Sequence, residues 1–204
     1  MTNVFFTADW HLGATDMRLM GRPFLDADAM ADRLVREHNA MVDPDDIVYV
    51  LGDALHDRRP REILDADRAA LSELHGDLIL LRGNHDWLPD RDLARYFAGI
   101  VEEGQGVELV IDGLMCWLTH YPLCARPDRF NLVGHIHDRW KVQKNMLNVG
   151  VDVHHFQPVP ADRIGFYFRA ICEFYDADVW VADHPANTAH ADRGVAGSYL
   201  EARR

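Results

Sequence analysis

Apolar runs that stop abruptly at a cluster of polar residues recur along the first half of this chain. "NVFFTADWH" (residues 3–11), "DDIVYVLGD" (45–53) and "DLILLRGNHD" (77–86) each read as a buried strand opening onto Asp, His, Asn or Gly. Between them the period changes from two to that of a helix. In residues 26–42, Met30, Leu34, Val35, His38, Met41 and Val42 share one face behind an Asp-rich start suited to a cap. A second helical segment ends in "DADRAALSEL", with Pro60 tolerable in its first turn. A short helix over "RDLARYFAG" is expected to close at Gly99. Strand-helix-strand-helix-strand predicts right-handed βαβ units and a parallel sheet.

After Gly99 the pattern shortens. Residues 100–122 read as brief strands joined by Gly turns, with a hairpin at Asp112-Gly113. "RFNLVGHIHD" and "KNMLNVGVDV" read as two further strands, antiparallel or mixed, and residues 160–177 as a late helix. No repeat, low-complexity segment or long linker divides the chain. A single domain over 1–204 is expected, with its motifs in 1–152 and a C-terminal helix and tail in 153–204.

Composition narrows the class. The chain has 204 residues, enough for one sizeable core, and 48% hydrophobic residues, a globular proportion. The net charge of −12 argues against a protein that grips duplex DNA by its backbone. It suits an excess of carboxylates that bound cations would neutralise. Three cysteines without CxxC spacing suggest neither a disulfide framework nor a zinc knuckle, and point to a reducing compartment. With no signal-peptide pattern and no apolar run of membrane-span length, a cytoplasmic protein without membrane attachment is expected.

The chemistry lies in five short motifs, each after an apolar run. "ADWH" contributes Asp9 and His11; "LGD", Asp53; "GNHD", Asn84, His85 and Asp86; "LTHYP", His120; "GHIH", His135 and His137. Ligands of open α/β sheets collect at the carboxyl ends of strands, so these residues can converge. In Asp9-x-His11 and His135-x-His137, alternate residues of an extended strand point to one side. Imidazole mixed with carboxylate and amide oxygen suits borderline divalent ions. Asp9, Asp53, Asn84 and four His exceed the needs of one metal. Two ions sharing a carboxylate would use them all.

The ordered set D-x-H, G-D, G-N-H-D, a lone H and G-H-x-H resembles the calcineurin-like metallophosphoesterases, over residues 9–137. The resemblance implies an α/β fold, a four-layer α/β/β/α sandwich of two mixed β-sheets flanked by helices. It implies two divalent ions, Mn²⁺ foremost, with Fe, Zn²⁺ or Ni²⁺ as alternatives. Asp9, His11 and His137 would hold one ion; Asn84, His120 and His135 the other; Asp53 would bridge them. His85 would face the phosphate and the leaving oxygen, with Asp86 orienting it from behind and Gly83 allowing a tight turn. Asn84, His85 and His56 are candidate substrate contacts. A His shortly after the bridging Asp also occurs in the family's DNA-repair nuclease branch. Adjacent His154 and His155 would point apart on a strand, which favours surface roles.

The resemblance implies metal-dependent hydrolysis of a phosphomonoester or phosphodiester, with a small or nucleotide-like substrate. A metal-dependent nuclease is the alternative. A non-catalytic scaffold of the same fold would have lost ligands that this chain keeps.

Overall fold

In the computed structural model, which describes residues 2–15, 17–18, 20–56 and 65–174, the apolar runs of the first half form one sheet. In chain order, β1 (Val4–Thr7) leads to α1 (Ala27–Asn39), β2 (Ile47–Val50), α2 (Asp65–Glu73), β3 (Asp77–Leu81), α3 (Asp90–Leu93) and β4 (Gly99–Val101). Then come β5 (Val107–Ile111), β6 (Leu114–Thr119), β7 (Phe130–Val133), β8 (Val142–Gln143), β9 (Met146–Asn148), β10 (Val159–Pro160) and α4 (Ile164–Phe174). The first sheet has the order β10-β1-β2-β3-β4, and the second β5-β6-β7-β9-β8. β1 to β4 pair in parallel, with β10 antiparallel on β1; the second sheet mixes both senses. The architecture is α/β: two mixed sheets flanked by helices, as the sequence leads one to expect.

Alternation along the central strands explains the layering. In β3, Leu78 and Leu80 join the buried cluster that contains Met30 and Leu34 of α1 and Ala70 and Leu71 of α2. The opposite face, with Leu81, joins Phe6, Leu118, Phe130 and Leu132 in a second cluster that Ile164 and Ile171 of α4 also enter. Strands buried on both faces must be apolar almost throughout, which is why these runs are continuous. Helix α1 begins at Asp26, whose side chain accepts from the Ala29 N–H, a cap typically worth about 1 kcal/mol. It buries Met30, Leu34 and His38, one stripe at intervals of one turn.

The hairpin forms where expected. Ile111 pairs with Leu114, and Asp112 (φ 49°) and Gly113 (φ 79°) form its two-residue turn, both in the left-handed region this turn requires. The helix expected to close at Gly99 is different. It stops at Leu93, and Gly99 begins β4. The Ala98 N–H already donates to the Leu78 carbonyl, so the open edge of β3 captures the chain before a helix could reach Gly99. The N-terminal turn around Pro60 and the C-terminal segment beyond 174 lie outside the described residues. Among the described residues no helix is long and apolar enough to cross a membrane.

Candidate metal centre

The polar ends of β1, β2, β3, β6 and β7 meet at one edge, and the chain continues to pair after the strands end. The N–H groups of Asp9, His11 and Leu12 donate to the carbonyls of Gly52, Asp53 and Ala54. The D-x-H and G-D loops are thereby zipped together as an irregular extension of the β1–β2 pair.

Three groups of side chains converge there, each offering ligand atoms within 4.8 Å of one another: Asp9, His11 and His137; Asp53, His120 and His135; and His11, His56 and His85. Asp53 Oδ2 lies 3.5 Å from His11 Nε2 and 3.4 Å from His120 Nε2, so a single carboxylate oxygen faces members of the first two groups. Asn84 Oδ1 is 3.3 Å from His120 Nε2. His11 Nε2 and His85 Nδ1 are buried with no hydrogen-bond partner among the described residues. Buried polar atoms are normally paired, and a cation or substrate atom would satisfy both. The donor set, imidazole with carboxylate and amide oxygen, fits borderline divalent cations.

Alternation along an extended strand does not explain how each D-x-H and H-x-H pair aims at one place. Asp9, His11, Asp53, His135 and His137 all have positive φ, between 47° and 75°. All five lie beyond the strands, in a left-handed conformation that costs a non-glycine residue roughly 1–2 kcal/mol. Such outliers cluster where function over-determines the backbone. The His135 N–H donates to both oxygens of Asp9 (2.9 and 3.0 Å), and this ties the H-x-H loop to the D-x-H loop.

Glycine provides the space. A side chain at Gly83 would run into Asp53 and His120, and one at Gly52 into His120. Gly52 also needs its φ of +83°. Gly83 does not have a left-handed φ. The turn freedom expected of Gly83 is therefore not its role; close approach of backbone to ligand is.

Asp86 also departs from expectation. Its carboxylate accepts the backbone N–H groups of Asp53 (2.7 Å), Gly83 (2.9 Å), Ala54 (3.0 Å) and Leu55 (3.2 Å). It anchors the Asp53 loop to the GNHD loop and does not sit behind His85. Four buried N–H groups that would otherwise be orphaned take precedence over one imidazole. Burial raises the Asp86 pKa to about 6, opposed by these donors. His85 is held by its backbone, whose N–H donates to Asp53 Oδ1 at 2.9 Å. Its ring stacks on His56 at 5.4 Å and meets His11 edge-on at 4.9 Å, so His56 stands beside the cluster. His154 is buried, with Nε2 2.8 Å from the Asn148 carbonyl. The expected surface role holds for His155, which is exposed, and fails for His154, which follows a 3-10 turn over Val151–Val153.

Charge is divided unevenly. Burial opposes ionisation of Asp53, but the hydrogen bond and charge of His120 hold its pKa down at about 2. Burial likewise opposes a charged His120, and Asp53 overcomes it, raising the pKa to about 9. Burial raises Asp9 to about 6 and lowers His11 well below the usual imidazole range. The hydrogen bond that His137 donates to Asp152 raises the His137 pKa.

Two residues outside the motifs complete the site. His137 Nδ1 donates to Asp152 Oδ2 at 3.0 Å, leaving Nε2 as the ring's free acceptor. Asp152 is itself gripped by the buried guanidinium of Arg22, through Nε to Oδ1 (2.7 Å) and Nη2 to Oδ2 (2.8 Å). The signal for Arg22 was a lone charged residue in the otherwise uninformative "MGRPF".

Comparison with known proteins agrees with this geometry. Residues 2–189 match the family model described as calcineurin-like phosphoesterase. An uncharacterized protein of Methanocaldococcus jannaschii is 26% identical over 171 residues, covering 80% of this chain and 90% of its own. A protein of unknown function from Aquifex aeolicus superposes with a TM-score of 0.64 at 18% identity, covering 81% of this chain and 99% of that one, and so shares the fold. A Pseudomonas putida nuclease aligns at a TM-score of 0.38 and 25% identity, covering 66% of this chain and 61% of that one. With the strand-end cluster of His and Asp at its centre, and a family match over nearly its whole length, the chain belongs to the calcineurin-like phosphoesterases, a metal-dependent family.

Proposed function

We propose that the protein is a dinuclear metal-dependent phosphoesterase that hydrolyses a small or nucleotide-like phosphomonoester or phosphodiester, with Mn²⁺ as its cation. The observation that carries this reading is Asp53 Oδ2, within 3.5 Å of His11 on one side and 3.4 Å of His120 on the other. One carboxylate so placed can serve two ions. Asp9, His11 and His137 would hold one ion; Asn84, His120 and His135 the other. When bound, such a pair polarises the phosphoryl group and lowers the pKa of the attacking water.

The chain's own residues do the rest. His135 and His137 line a cavity of about 380 Å³ together with Met20, Ile136, Asp138 and Arg139, a volume that suits a small substrate. Arg139 adds a cation at its wall. His85 stands beside the metal ligands without being assigned to either ion. Its Nδ1, with no protein partner among the described residues, is free to hold a phosphoryl oxygen or pass a proton to the leaving alkoxide. No Ser or Cys nucleophile is required.

A second reading, a metal-dependent nuclease, draws on His56, whose ring stacks on His85 next to the scissile position that this account implies. The net charge of −12 weighs against a grip on duplex DNA. Turnover of p-nitrophenyl phosphate, bis-p-nitrophenyl phosphate, cyclic nucleotides and single-stranded DNA, each with Mn²⁺, tests both. Preference for the small esters is expected. Preference for DNA would move the assignment to nuclease, and no turnover of any of them with Mn²⁺ bound would refute both.

A further inference from the structure

Arg22 has an unusual set of partners for a charged residue whose side chain is 1% exposed. Its Nη1 donates to the Trp10 carbonyl at 2.8 Å and its Nη2 to the Asp9 carbonyl. The same guanidinium grips both oxygens of Asp152, and Asp152 Oδ2 accepts from His137 Nδ1. One fork therefore ties the loop that carries Asp9 and His11 to the carboxylate that His137 meets. It grips the loop at the carbonyls of residues 9 and 10, just before His11, and reaches His137 through a carboxylate. Burying a guanidinium is costly unless its donors are satisfied, and apart from a contact of Nη1 with Met30 Sδ at 3.1 Å they are satisfied by the supports of one ligand group.

We propose that Arg22 and Asp152 are a positioning pair that sets the cation affinity of the Asp9–His11–His137 position, and of that position alone. The inference rests on the dinuclear reading above. The reasoning is geometric. Asp9 and His11 both have positive φ, and clamping the carbonyls of residues 9 and 10 between them holds the loop in that conformation. Asp152 accepts the Nδ1–H of His137 and so leaves Nε2 as the ring atom able to join Asp9 and His11 in holding a cation. Carboxylate partners of this kind orient ligating imidazoles, and their removal typically lowers metal affinity about 10–100-fold. The Asp53–His120–His135 group receives no hydrogen bond from either residue among those described. His120 is oriented instead by the Leu51 carbonyl, 2.7 Å from Nδ1.

Calorimetric titration of the metal-stripped full chain with Mn²⁺ tests this. The unmodified chain should show two binding events. Asp152→Asn and Arg22→Lys should each weaken one event by about 10–100-fold and leave the other in place; Asn84→Ala, which removes a donor from the other position, identifies which event is which. Arg22→Lys keeps the charge but loses the fork, so it gives a reading even if Asp152→Asn does not fold, and urea unfolding checks both. If the pair only braces the fold, the urea midpoint drops while both affinities stay unchanged, and the proposal is overturned. Equal weakening of both events overturns it too. An unmodified chain that binds no Mn²⁺ overturns the dinuclear reading itself, and the pair's assigned role with it.

Discussion

The two halves of the candidate metal centre are braced differently. The Asp9–His11–His137 half is held by side chains from afar: a guanidinium at residue 22 and a carboxylate at 152. The Asp53–His120–His135 half is held through backbone groups: a carbonyl, and amides gathered by one carboxylate. His120 donates to the Leu51 carbonyl, Asp86 collects the amides of the Asp53 loop, and Gly52 and Gly83 leave the room in which these groups touch. The difference teaches what can be replaced. Neither half has room for an added Cβ, since one at Gly150 would lie 2.7 Å from Asp9 Oδ2, but the side-chain-braced half can also be loosened one hydrogen bond at a time.

The halves meet at Asp53, so the largest effect is expected there. Asp53→Ala should abolish retention of both ions and cut turnover by roughly 10³-fold or more, since several kcal/mol of charge stabilisation disappear. Metal analysis after gel filtration, alongside the rate, checks this; a variant that keeps both ions would undo the shared-carboxylate account.

His85→Ala probes a residue assigned to neither half. Turnover should fall about 10²–10⁴-fold with metal content retained. The loss should be smaller for a p-nitrophenyl ester, whose leaving group needs little protonation. Equal losses for both leaving groups would limit His85 to holding phosphoryl oxygens.

Asp86→Ala strikes the backbone brace. Four buried N–H groups lose their acceptor, at about 1–3 kcal/mol for each left unsatisfied, so the urea midpoint should fall markedly. Cation affinity of the Asp53–His120–His135 half should fall more than that of its neighbour. If Asp86 instead acted through His85, stability would hold and only turnover would drop.

The halves should also separate by protonation. In the metal-stripped chain His120 has its pKa raised to about 9 against burial, by Asp53, while burial keeps His11 neutral. A His pKa raised in the folded state stabilises fully below the unfolded value near 6.5 and loses that contribution as pH rises through about 9. The stripped chain should therefore lose on the order of 2–3 kcal/mol between pH 6.5 and 9.5 from this pair. Urea midpoints across that range measure the loss, and Asp53→Asn should flatten it. A stripped chain whose stability rises over this interval would place the proton elsewhere.

Legibility in the sequence follows the same division. The residues that meet at the candidate site were readable as candidates, because several buried strands in turn end in Asp, His or Asn; the βαβ order and the Asp112-Gly113 turn were readable for equally local reasons. Arg22 and Asp152 were not. They are 130 residues apart, one in a stretch without period and the other inside what reads as an ordinary strand, and they gain meaning only when the fold brings them together. The partners of Asp86 were invisible for the same cause: its position in "GNHD" suggests a neighbour's side chain, while its oxygens are claimed by amides of residues 53–55. The left-handed backbone of Asp9 and His11 was likewise hidden, since nothing in "ADWH" marks φ as positive.

The account's central claim is that two cations share Asp53, one in each half. Crystals loaded with Mn²⁺ and measured at the manganese absorption edge test it most directly. The expected anomalous map has two peaks roughly 3.5–4 Å apart, flanking the Asp53 carboxylate, one beside His11 and His137 and one beside His120 and His135. A single peak at full loading, or two peaks with Asp53 touching only one of them, would contradict it.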